Sequence, residues 1–161
     1  MQSELWGVGW LDVPLVHSYP EISTAEPALK QTMAALSSVT TQQMVIGDQL
    51  EHLVAWPFSL AANYWPEAGY LGALITAFSE TPAQGILLTR LGQKNPPLSL
   101  LPRLAHGNRR AVIAQGPVVS EPLLAYYHRS CLAPAQNMLK QGKKEIDEFL
   151  RLVHAEILPC S

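Results

Sequence analysis

The sequence predicts a mainly α-helical fold, a single compact domain of five to seven helices spanning 1–161 with an irregular N-terminal arm. Three observations lead there. From Ala135 to Ile157 the apolar residues Met138, Leu139, Ile146, Phe149, Leu150, Val153 and Ile157 recur at helical spacing, and Gly142 lies on the same stripe. Lysines, acids and Arg151 fill the opposite side, the pattern of one amphipathic helix. Thr81-Pro82-Ala83-Gln84 reads as a helix start, with a Thr cap, Pro in the first turn and Gln closing the box. Beyond the N-terminus, Ala111 to Ala114 is the one segment that reads as a strand.

Taken in order, residues 1–22 form an extended arm. Gly7 and Gly9 sit among Trp6, Val8 and Trp10, and Pro14 and Pro20 follow, so a helix is disfavoured. Ser23-Thr24-Ala25-Glu26 opens a helix to Ser37 that carries Leu29, Met33 and Leu36. A second helix is expected from Thr41 to Trp56, where Pro57 stops it. Phe58 to Phe78 contains a single charge, Glu67, yet Pro66 interrupts the run. The apolar part left after it is about half of the roughly twenty residues a membrane span needs. The segment therefore reads as a short helix, Ser59 to Tyr64, and then a buried one, Pro66 to Phe78. After Thr81 a helix carrying Ile86, Leu87 and Leu91 ends at Gly92. Residues 93–119 form a Pro/Gly-rich basic connection, with a turn or two of helix at Leu98 to Leu104. Ser120-Glu121-Pro122 restarts a helix to Cys131.

The chain of 161 residues is 48% apolar and only 15% charged, against an average near 25% charged. A surface so poor in charge favours cover by a partner. The net charge of −2 is unevenly spread: residues 1–89 carry one base against eight acids, residues 90–161 ten bases against five acids. Two cysteines and a start without a basic, continuously apolar leader fit the cytoplasm.

Two groups of residues stand out as sites. Trp56, Phe58, Trp65 and Tyr70 cluster around two proline breaks, a natural place for a protein-binding surface. Arg103, His106, Arg109 and Arg110 lie in a stretch, Thr81 to Ser120, with no acid at all. Guanidinium forks beside Gly107 and Asn108 suit a phosphate or carboxylate. No phosphate-loop motif occurs, and basic residues this sparse, with no aromatic between Phe78 and Tyr126, argue against nucleic acid. His128, Cys131, His154 and Cys160 have the residue types for zinc but no zinc spacing, so no metal and no cofactor is expected. Cys131 with a histidine base, the Glu51-His52 pair and Glu67 beside Trp65 are the conceivable catalytic groups, none supported by a surrounding motif.

Together these features favour a non-enzymatic, cytoplasmic, protein-binding factor, an adaptor, assembly factor or chaperone-like accessory subunit, partnered by another protein or by a second copy of itself. The alternative is a small enzyme or ligand-binding protein that holds an anionic small molecule on the basic segment 90–110.

Overall fold

The computed structural model describes residues 4–11, 22–48, 58–91, 96–105, 109–115, 122 and 124–159. Their centre is a seven-stranded mixed sheet, which overturns the mainly helical expectation. The elements are β1 (Leu5–Trp10), α1 (Ile22–Ser37), β2 (Gln42–Ile46), β3 (Ser59–Ala61), α2 (Tyr70–Glu80) and β4 (Gly85–Arg90). They continue with α3 (Leu101–Ala105), β5 (Ala111–Gln115), β6 (Leu124–His128), α4 (Leu132–Lys140), α5 (Ile146–Leu152) and β7 (Glu156–Pro159). The strand order is β3-β2-β1-β4-β6-β5-β7. Strands β3, β2, β1 and β4 are mutually parallel, β6 is antiparallel to β4 and β5, and β7 is parallel to β5.

Within what read as an N-terminal arm, Leu5 to Trp10 is the strand at the middle of this sheet, and residues 1–3 and 12–21 of the expected arm lie outside the described residues. β1 alternates Trp6, Val8 and Trp10 with Gly7 and Gly9. Its large residues join the core beneath α2, α4 and α5. Its glycines face α1, whose Leu29, Met33 and Leu36 are buried against the other side of the sheet with Leu101 and Leu104 of α3. A Cβ on Gly7 would stand 2.9 Å from the Cβ of Leu36, so the missing side chain sets how closely α1 approaches β1.

Three further expected helices are strands, for one shared reason. Met44, Val45 and Ile46 of β2, and Ile86, Leu87 and Leu88 of β4, are covered on both faces. A short run that is apolar throughout has no period to separate a buried strand from a buried helix. β6 replaces the helix expected before Cys131 in the same way, sending Ala125 and Tyr127 to one core and Leu124 to the other. The short helix expected from Ser59 begins instead as β3, at the edge of the sheet. The start signal at Thr81 is in fact a stop. Its hydroxyl donates to the Ala77 carbonyl at 2.8 Å and accepts from the Ala83 amide at 3.3 Å, closing the C-terminus of α2.

The long C-terminal helix is folded in two. Gly142 has φ +74°, the Gly142 amide donates to Leu139 O at 3.0 Å and the Lys143 amide to Met138 O at 2.9 Å. That is a Schellman stop on α4. A second one at His154, φ +53°, ends α5 and releases the chain into β7. The stripe still buries Met138, Phe149 and Val153, while Ile157 is exposed on β7. The helix over 25–37, the turns at 98–104, the helix ending at Phe78 and the strand at 111–114 stand where the sequence puts them, so the basic connection 93–119 contains α3 and β5. Among the described residues no helix is long and apolar enough to cross a membrane.

Replacing Gly7 by Val should force α1 off β1 and lower stability by about 1–3 kcal/mol, the range for overpacking. A chemical-denaturation midpoint equal to that of the parent protein would show that α1 does not depend on this contact.

Candidate functional site

Two regions of the sheet can hold a ligand, and they lie at opposite edges. From β1 the chain winds outward through α1, β2 and β3, then returns through α2 to place β4 on the other side of β1. Strand order thus reverses between β1 and β4. In open α/β sheets the crevice outside the carboxyl ends of the strands, at such a reversal, is where ligands bind. Described residues at this edge include Leu11 after β1, Asp48 after β2 and Arg90 at the end of β4. Trp10 and Arg90 are register partners. Below them Trp10 meets Tyr70 edge-on with centroids 5.9 Å apart, Tyr70 meets Tyr127 at 6.2 Å, and Tyr127 leans on Phe149 at 5.8 Å. The Tyr70 and Tyr127 hydroxyls are hydrogen-bonded at 2.7 Å, and burial holds the Tyr127 phenol far above its ordinary value, so it stays neutral. This line of rings runs through the core under α2, α4 and α5.

The other region is a groove of about 570 Å³ at the amino edge, where β1 and β4 begin and β6 ends. Its rim carries Arg109, Arg110, His128 and Ser130, and its floor Gly85 and Tyr126. Arg110 donates from Nε to Ser130 Oγ at 3.2 Å and from a terminal nitrogen to Ser130 O at 3.1 Å. His128 Nδ1 accepts from the Ser130 amide at 3.1 Å and lies 3.0 Å from its hydroxyl. Desolvation, then the neighbouring Cys131, raises the Tyr126 phenol above its ordinary value.

The predicted site residues are divided between these places. Of the aromatic group, Trp56 lies outside the described residues. Phe58 is half-buried on the α1 side, Trp65 is 45% exposed and Tyr70 is a core residue at 2%. Phe58, Trp65 and Tyr70 thus do not form one surface. Of the basic group, His106 lies outside the described residues, and Arg103 is exposed on α3. Arg109 pairs with Glu156 at 3.1 Å, both half-exposed, and Arg110 is held by Ser130. Sequence reasoning missed the groove's Gly85, Tyr126 and Ser130, because nothing in a single chain says that β4 and β6 pair. It also missed Arg129, whose guanidinium donates to Phe78 O at 2.9 Å, Ala83 O at 2.9 Å and Thr81 O at 3.2 Å while lying over the Phe78 ring. Arg129 is a clamp between β6 and the end of α2.

Cys131 is not an activated nucleophile. It is buried, its thiol donates to Arg110 O at 3.4 Å, and burial pushes its pKa up to about 11, with Arg110 opposing that shift. A thiol moved from its ordinary 9.0 to about 11 holds about a hundredfold less thiolate near neutral pH. In a Cys160→Ser background, iodoacetamide should label the folded protein about a hundredfold more slowly than a small free thiol. Labelling at the free-thiol rate would show that Cys131 is accessible and activated.

Neither a protein-family model nor a curated protein matches the sequence. Solved structures match the fold. One is 4-diphosphocytidyl-2C-methyl-D-erythritol synthase from Anaerococcus prevotii, with 9% identity, 99% of this chain and 90% of that chain covered, and a TM-score of 0.69. A second is molybdopterin-guanine dinucleotide biosynthesis protein A from Archaeoglobus fulgidus, with 18% identity, 95% and 83% coverage, and a TM-score of 0.64. A third is glucosyl-3-phosphoglycerate synthase from Mycobacterium tuberculosis in complex with Mn2+, UDP and glucosyl-3-phosphoglycerate, with 11% identity, 98% and 70% coverage, and a TM-score of 0.61. The expected helical adaptor is thereby corrected: the chain is similar in fold to enzymes of the nucleotide- and sugar-transferase kind, built on an α/β sheet.

Proposed function

We propose that this protein is an enzyme that binds a nucleotide by its phosphates in the crevice between the carboxyl ends of β1 and β4 and transfers a nucleotidyl or glycosyl group from it. The observation that carries the reading is the reversal of strand order between β1 and β4, which opens the crevice at that edge. The similarity in fold to enzymes whose names speak of nucleotide and sugar products supports it. So does Arg90, a cation at the end of β4 in a stretch of sequence without acids. The protein takes an anionic small molecule, as the alternative sequence reading has it, with Arg90 rather than Arg109 and Arg110 beside the phosphates. A cytoplasmic setting goes with a nucleotide substrate and with the sequence's two cysteines.

The glucosyl-3-phosphoglycerate synthase complex includes Mn2+. Among the described residues of the present chain, no three His, Cys, Asp or Glu side chains lie together as a metal site requires. Arg90 is the described cation at the carboxyl end of the strands, and a guanidinium fork suits phosphate oxygens.

Calorimetric titration with UDP, CDP and GDP, and with their sugar conjugates, tests the reading. At least one should bind saturably. Arg90→Glu should weaken that binding by about tenfold or more, as expected for loss of a charge-assisted hydrogen bond. No saturable binding across the series, or binding indifferent to Arg90→Glu, would remove the crevice from consideration.

A further inference from the structure

We propose that the groove at the amino edge is a second ligand site, built for a small hydroxylated phosphomonoester such as a sugar phosphate. It does not rest on the nucleotide reading, because it lies at the other end of the strands. Six residues of β1 separate it from the crevice by about 20 Å at the ordinary rise of a strand.

The rim supplies a pre-set anion receptor. The two bonds from Arg110 to Ser130 fix the plane of the guanidinium and use two of its five N–H donors. His128 Nδ1 accepts from the Ser130 amide, which places the proton of the neutral ring on Nε2 as a further donor. Arg109 is already engaged by Glu156, so Arg110 is the cation that the groove itself directs at a ligand. A phosphate in reach of Arg110 and His128 Nε2 receives charge-assisted bonds without reorganising the rim.

The remainder of the groove fits the body of such a molecule. A Cβ on Gly85 would stand 2.7 Å from the Tyr126 ring and 2.8 Å from its hydroxyl oxygen. Glycine therefore lets the ring lie flat against the sheet, as a platform rather than a plug. Leu5 and Ala105 add apolar wall, while Glu4 and Gln84 line the groove as well. Their carboxylate and amide can accept hydrogen bonds from hydroxyls, and Tyr126 offers a flat face to sugar C–H groups. The volume lies within the range of small-molecule sites.

Glucose 6-phosphate, glucose and inorganic phosphate serve as probes, titrated into the isotopically labelled protein while the imidazole signals of His128 and the ring signals of Tyr126 are followed. Glucose 6-phosphate should shift both saturably. Inorganic phosphate should move His128 alone and more weakly, and glucose should bind at least about tenfold more weakly than its phosphate. Arg110→Ala should weaken glucose 6-phosphate by about tenfold or more, whereas Arg90→Glu should leave these shifts in place. That last variant separates the groove from the crevice, whatever the crevice binds. If Arg110→Ala does not fold, sulfate in the parent protein takes its place as the test and should displace the sugar phosphate from His128. Absence of saturable shifts, binding indifferent to Arg110 or to sulfate, or equal affinity for glucose would overturn the proposal. A response to inorganic phosphate as strong as that to glucose 6-phosphate would reduce the groove to a simple phosphate site and overturn its specificity for a sugar.

Discussion

Everything in this structure is referred to the two faces of β1. Tryptophan on one side and glycine on the other make a strand whose faces demand different neighbours. Trp6, Val8 and Trp10 need a deep apolar cover, which α2 provides with Leu71, Leu74, Ile75 and Phe78. Gly7 and Gly9 need a helix close enough to leave no void, and Leu36 and Met33 of α1 fill that space. Since interiors are packed to crystal-like density, neither helix can take the other's place without clash or cavity. The first crossover is therefore committed to one face and the second to the other. Strand order then reverses beside β1, the kind of place where open α/β sheets bind their ligands.

The second half of the chain is joined to the first mainly through β6 and the turn that leaves it. Arg129 satisfies carbonyls at the end of α2, which would otherwise lack intrahelical donors. The same turn begins with His128 accepting from the Ser130 amide and leads into buried Cys131. Structure and candidate chemistry are thus interleaved residue by residue. Arg129 points inward to hold the fold, while His128 and Ser130 face the groove. Neighbours along the chain have opposite duties because β6 ends at His128 and the 3-10 turn after it, Arg129–Cys131, swings each successive side chain by about a third of a turn.

Much of the local structure was legible in the sequence, and the long-range pairing was not. The helix carrying Leu29, Met33 and Leu36 shows its stripe because one face of α1 meets water. The turns at 98–104 and the strand at Ala111 to Ala114 are marked by the prolines and glycines around them. β2 and β4 are covered on both faces at Met44–Ile46 and Ile86–Leu88, and β6 is apolar or aromatic from Leu124 to Tyr127, so none carries a polar face from which a period could be read. Thr81 shows a different limit. A threonine followed by a proline signals a helix boundary without saying on which side the helix lies, and here its hydroxyl closes the helix behind it. The C-terminal stripe was correct for Met138, Phe149 and Val153, wrong for Ile157 and wrong in continuity, because Gly142 fits the stripe as well as it fits a Schellman turn.

The basic segment was the most telling feature of the sequence and also the most misleading. Read along the chain, residues 90–110 make one patch. In the fold, Arg90 ends β4 at the carboxyl edge, while Arg109 and Arg110 precede β5 at the amino edge. The connection through α3 carries the chain back across a face of the sheet, because β5 runs in the same direction as β4. Charges that are neighbours in sequence therefore act at opposite ends of the strands, and each must be weighed with its own surroundings. Arg90 stands where the strand order reverses. Arg110 shares a groove with Tyr126, held by a serine and accompanied by a histidine. The absence of acids from Thr81 to Ser120 then has a physical reading. That span visits both edges, and an acid placed along it at either would oppose the cation there and weaken its hold on an anion.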